Sequence, residues 1–259
     1  MSDLITPPIR PFHQLVLASM LMFLAAPTFA QSSGSDAKPD RVAIEHIVRE
    51  YLLGNPEIIE QASAALRARQ AQAQAQAERA AIKTQHAALY QHAATPVLGN
   101  AKGDVAVVEF FDYRCGYCKR VAPAVVALLK SDAQVKIIYK ELPILGAESV
   151  FAARAALAAH RQGKYAEMHA GLLASDALDE KSVLAVAAKA GLDVALLQRD
   201  TKDPAITQQL AENQALADAI SVTGTPAFIV GNRILPGAVD VSGLASIVRA
   251  ERALNATRP

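Results

Sequence analysis

V-A-V-V-E-F-F-D-Y-R-C-G-Y-C-K-R-V-A-P, residues 105–123, decides how the rest of this chain is read. Its first seven residues are apolar, β-branched or aromatic apart from one acid. They do not alternate with polar residues, the pattern of a strand covered on both faces of a parallel sheet. CKRVAPAVVALLK (118–130) reads as a helix and VKIIY (135–139) as a second strand. Strand, helix and strand with short links make a βαβ unit. Cys115 and Cys118, the only two cysteines in the chain, fall where the first strand hands over to the helix.

That placement carries chemistry. A cysteine at a helix start meets unpaired N–H groups and the positive end of the helix dipole, and both favour a thiolate. The thiolate is the attacking species in thiol–disulfide exchange. Cys115 is expected to be the exposed nucleophile and Cys118, one turn inside, the resolving thiol. Arg114, Lys119 and Arg120 would reinforce the thiolate if their side chains lie close. Other uses of the pair fit less well. A zinc site needs two further ligands, and His46, His86, His92, His160 and His169 form no close pair. A c-type haem needs His after the second Cys, and residue 119 is Lys. A structural disulfide closing so short a loop gains little chain entropy. No metal and no organic cofactor is therefore expected; the redox group is Cys115–Cys118 itself.

Glu109 interrupts the apolar strand. A carboxylate there is costly unless it has a role or a partner. It is either a working buried acid, an edge residue turned to solvent, or one half of a pair with Lys140.

Beyond the βαβ unit, residues 147–221 are helical in pattern, with breaks at Gly163, Gly191 and Asp203-Pro204. T-P-A-F-I-V-G-N-R-I-L-P-G (225–237) reads as two short strands joined at Gly231-Asn232. Residues 240–256 form a last helix. The expected class is α/β, a domain over 95–256 with a helical insertion at about 147–221. Phe111, Tyr113 and Phe228 are expected in the core rather than on an apolar rim.

Upstream, residues 41–94 are read as a helical arm. Ile44, Ile47, Val48, Tyr51 and Leu52 share one helical face. Gly54 ends that helix, Asn55 caps the next, and Pro56 stands at its first position. The second helix is expected to reach about residue 92. Its middle, ARQAQAQAQAERAA, lacks large apolar residues, which favours an oligomerisation arm making a dimer or trimer through 41–92 over a hairpin docked on the domain. Residues 31–40 read as a disordered lead. Residues 1–30 read as a secretion signal cut after Ala30, since the apolar run 15–26 is short for a span of about 20 residues. Export to the periplasm follows, where thiols can cycle as disulfides.

The composition agrees. Among 259 residues, 26 Lys+Arg stand against 25 Asp+Glu, a net charge of +1 that argues against a nucleic-acid binder. Ala accounts for 53 residues and Trp for none, which suits a helix-rich chain.

C-G-Y-C-K-R-V-A-P after V-V-E-F-F-D-Y-R resembles the active-site region of the thioredoxin superfamily, with Pro123 matching the proline of its active-site helix. The long helical block resembles the DsbA-like branch. The helical arm with C-G-Y-C and Thr225-Pro226 resembles the suppressor-of-copper-sensitivity protein C and Com1-like group. The resemblance implies a thioredoxin fold and a protein disulfide oxidoreductase or isomerase, with Cys115 and Cys118 catalytic. It implies that Glu109 passes a proton to or from the resolving thiol. It also implies a cis bond before Pro226 and a Thr225 backbone that pairs with substrate as an added strand. Gly116 and Tyr117 join these as substrate-binding residues. Neither is cationic, so the expected poise is less extreme than a Pro-His pair would give, though still oxidising. Expected partners are cysteine-containing exported proteins and a membrane redox protein. A monomeric dithiol oxidase and a non-enzymatic envelope binding protein with a vestigial disulfide are the alternatives.

Overall fold

The computed structural model describes residues 40–257; the expected signal and most of the expected lead lie outside them. The chain divides into two compact units between Ile59 and Glu60.

In the first unit, α1 (Arg41–Gly54) starts on Asp40, whose carboxylate accepts from the Val42 N–H at 3.0 Å. It ends, as its glycine suggests, at Gly54. The Asn55 side chain turns back to donate to the Tyr51 carbonyl, so it closes α1 rather than capping the next helix. None of α1 is buried. α2 (Glu57–Thr84) begins here and crosses into the second unit.

The second unit carries a five-stranded sheet. Its strands are β1 (Val97–Gly99), β2 (Val105–Phe111), β3 (Val135–Glu141), β4 (Ala227–Val230) and β5 (Arg233–Pro236), in the order β1-β3-β2-β4-β5. β2 and β3 are parallel, joined through α4 (Gly116–Ser131); the other pairs are antiparallel. The expected βαβ unit and the hairpin turning at Gly231 are both present. Gly231 has φ +57, and a Cβ there would run into the Glu251 carboxylate.

The helical block holds α5 (Ala147–Arg161), α6 (Tyr165–Ala174), α7 (Glu180–Lys189), α8 (Val194–Asp200) and α9 (Pro204–Ala219). Gly163 and Gly191 break it at positive φ, and Asp203 caps α9 with Pro204 in its first turn. Six alanines of α5 are buried, so this helix packs at close range where larger side chains would not fit. α10 (Val241–Ala256) closes the fold, and Arg252 ties it to Asp104 and Asp132 through paired guanidinium contacts.

Pleating sends alternate residues to opposite faces. Val105, Val107 and Phe111 join one core with α4, α10 and the helical block. Val108, Phe110, Ile138 and Ile229 join the other with Leu216 and Ile220. That second core also takes in Ile82 from α2 and Leu89 from α3 (His86–Tyr90). Packing of the domain thus begins ahead of residue 95, and the expected long helix to residue 92 breaks at Gln85.

Candidate active site

β2 delivers the chain to a turn fixed by Asp112. Its buried carboxylate accepts from the Arg114 N–H at 2.7 Å, the Ser149 hydroxyl at 2.8 Å and the Leu145 N–H at 3.0 Å. Its backbone carbonyl accepts from the Cys115 N–H at 3.1 Å. Cys115 therefore arrives at the N-cap of α4 with extended backbone, and its Sγ accepts from the Cys118 N–H at 3.4 Å. The same sulfur donates to the Thr225 carbonyl at 3.2 Å.

Both thiols are free. Cys115 is 6% exposed and Cys118 1%, so the first sulfur is the more accessible, though less open than the sequence suggested. Burial pushes the Cys118 thiol well above its ordinary range, and a hydrogen bond from the Asp112 backbone only partly opposes this. Cys118 thus needs a proton acceptor before it can attack.

Thr225 and Pro226 face Cys115, and the bond between them is cis. Gly116 and Tyr117 occupy the first turn of α4, with Tyr117 60% exposed. The three basic residues expected around the thiolate go separate ways. Arg114 donates to the Leu145 carbonyl at 2.6 Å and pairs with Glu148 at 3.3 Å. Lys119 Nζ donates to the Ser175 carbonyl. Arg120 lies over the Tyr117 ring, 4.1 Å from its centroid. Among the described residues, no group of His, Cys, Asp and Glu is arranged to hold a metal ion.

Glu109 is buried and points to the α4 side of the sheet, opposite beside Tyr139 of β3. Lys140 lies on the other face, donating to the Ala88 carbonyl and the Thr95 hydroxyl, so the two residues do not pair. Glu109 instead lines a cavity of about 710 Å³ with Tyr139, His169, Pro123 and Lys119. Burial raises its carboxyl from near 4.5 to about 8. An acid with that affinity gives up and takes back a proton near neutrality.

Two features escaped sequence reading. Asp112 gave no signal beyond being polar after an apolar strand. Glu141, at the end of β3, accepts from the Tyr113 hydroxyl at 3.0 Å and the Tyr165 hydroxyl at 2.8 Å. Tyr113 is also 3.0 Å from His169 Nδ1. This knot of buried rings holds Tyr113, two residues before Cys115, against the helical block. Burial pushes the Glu141 acid far up and holds the His169 ring neutral, down to about 3. Phe111, Tyr113 and Phe228 are core residues, as expected.

Comparison with known proteins adds to this geometry. The model described as DSBA-like thioredoxin domain matches residues 106–249, and that of the copper resistance protein ScsC N-terminal domain matches residues 40–73. A thioredoxin-like oxidoreductase structure from Silicibacter pomeroyi DSS-3 is 45% identical, covering 64% of this chain and 97% of that one, with a TM-score of 0.63. Proteus mirabilis ScsC in a transitional conformation is 30% identical, covering 82% and 95%, with a TM-score of 0.63. The curated Na(+)/H(+) antiporter NhaA 3 of Salinispora tropica is 34% identical over 166 residues, 63% of this chain. The chain spans only 26% of that relative's length.

Proposed function

The chain belongs to the DSBA-like thioredoxin family, and on that premise we propose that it is an exported thiol:disulfide oxidoreductase acting on cysteines of other proteins in the periplasm. One observation carries the reading: Cys115 caps α4 with its sulfur between the Cys118 N–H and the Thr225 carbonyl, while Cys118 waits behind it. A client segment that displaces the contact to Thr225 brings its own sulfur to Cys115 and its backbone to the strand edge ahead of β4.

The electrons balance as follows. Cys115, as thiolate, attacks one sulfur of a client disulfide; a Cys115–client bond forms, the client S–S bond breaks, and the leaving sulfur departs as a thiolate. When another client thiolate then attacks the mixed disulfide, the client is rearranged and no net electrons pass. When Cys118 attacks Cys115 Sγ instead, the client leaves reduced and two electrons pass from protein to client. In its ionised form Glu109 fits as acceptor of the Cys118 proton in that step, and in its protonated form as donor in the reverse. A membrane redox partner would restore the dithiol.

We favour isomerase or reductase work because the arm offers a way to bring several sites together. α1 leaves Ile44, Ile47, Val48 and Tyr51 exposed on one face, a surface suited to joining copies of this chain into a dimer or trimer. Refolding of scrambled ribonuclease in glutathione buffer by residues 31–259 tests this. Recovery of ribonuclease activity that is lost in Ile47→Glu/Tyr51→Glu supports an oligomeric isomerase. Rapid oxidation of reduced ribonuclease with no rescue of the scrambled form points to a dithiol oxidase. A Cys115 that resists alkylation after mild reduction points to a binding protein with a vestigial disulfide.

A further inference from the structure

The surface beside the dithiol carries a cation with no acid to match it. Arg114 is committed to Glu148 and the Leu145 carbonyl. Lys119 is turned to the Ser175 carbonyl, with Asp176 next along the chain. Arg120 is exposed, and no carboxylate of the described residues pairs with it. Its guanidinium is held in place all the same. It lies over the Tyr117 ring at 4.1 Å, and its Nη1 is 3.7 Å from where a Gly116 side chain would start. Gly116 and Tyr117 are the two residues between the cysteines. The guanidinium therefore lies over the turn that carries the nucleophile, close enough that a Cβ at 116 would meet it in ordinary van der Waals contact.

A guanidinium stacked on a ring loses less freedom when it binds than a free one, and its fork of donors suits a carboxylate. We propose that Arg120, seated on Tyr117, is a specificity-determining residue that selects client segments with a carboxylate close to the reacting cysteine. The inference rests on the exchange activity proposed above and narrows its substrate class to acidic cysteine segments. Opposite charge speeds encounter and fixes the register of the client on the strand edge at Thr225, and salt weakens both effects.

Two disulfide-linked peptides of equal length test it, one with Glu and one with Lys on both sides of the cysteine. Each is reacted with the reduced protein, and each rate is divided by that of the same peptide with dithiothreitol, which removes the peptide's own thiol chemistry. The native protein should favour the acidic peptide by about fivefold at low salt, the scale of one exposed ion pair. The preference should fade at roughly 1 M salt, where the screening length falls to about 3 Å. Arg120→Glu should reverse it, and Arg120→Lys should keep part of it. Equal normalised rates in the native protein, or a preference unchanged in Arg120→Glu, would overturn the inference while leaving exchange itself standing. Failure of both peptides to exchange would remove the proposed activity and this inference together.

Discussion

At the scale of single residues, two buried carboxylates, Asp112 and Glu109, sit in opposite surroundings. Asp112 accepts from three donors and fixes the turn before Cys115. In Asp112→Asn an amide N–H would face the Leu145 or Arg114 N–H, leaving buried donors unmatched. Chemical denaturation should show a loss of about 1–3 kcal/mol, with slower exchange at Cys115. Glu109 has no such donors and holds its proton up to about pH 8 when folded, against about 4.5 as an ordinary carboxyl. Between those values the unfolded chain has lost a proton that the folded chain keeps. Stability therefore falls as pH rises through this window, by up to about 1.4 kcal/mol per pH unit. Glu109→Gln should flatten that fall and stabilise the protein at pH 7, while slowing attack by Cys118. Equal denaturation midpoints at pH 7 in the native and Gln forms would contradict this.

At the scale of elements, the strand–helix–strand core was legible because unbroken apolar runs and helix breakers are strong local signals. The Gly163, Gly191 and Asp203-Pro204 breaks and the Gly231 turn stand where the chain chemistry puts them. β1 was not legible: it is three residues long and exists by pairing with β3. The docking of Ile82 and Leu89 was hidden too, because two apolar residues in an Ala- and Gln-rich stretch give no periodicity. Nor could the sequence show which face of β2 holds Glu109 relative to Lys140. Lys140 clamps the segment between α3 and β1, and burial lowers its ammonium from 10.5 to about 8. Between these values the unfolded chain keeps a proton that the folded chain has lost, so stability should rise with pH across the window. Lys140→Met should abolish that rise in urea melts; an undiminished rise would show that another group is responsible.

At the scale of the whole molecule, no helix among the described residues is long and apolar enough to cross a membrane. The exposed α1 face follows from the helical spacing of its apolar residues, and a lone chain leaves it uncovered. Sedimentation of residues 31–259 should show a dimer or trimer that Ile47→Glu/Tyr51→Glu reduces to single chains, with Cys115 chemistry intact. A native protein that sediments as single chains would assign the arm another purpose. A deletion is the poorer test, because one running past residue 81 would strip Ile82 and Leu89 from the core. Exchange at the dithiol can be caught by trapping its intermediate. Cys118→Ser, incubated with a client protein containing a disulfide, should accumulate a mixed disulfide, resolved by mass spectrometry to Cys115, which Cys115→Ser cannot form. A Cys118→Ser protein that stays unlinked while the client disulfide remains intact would contradict it.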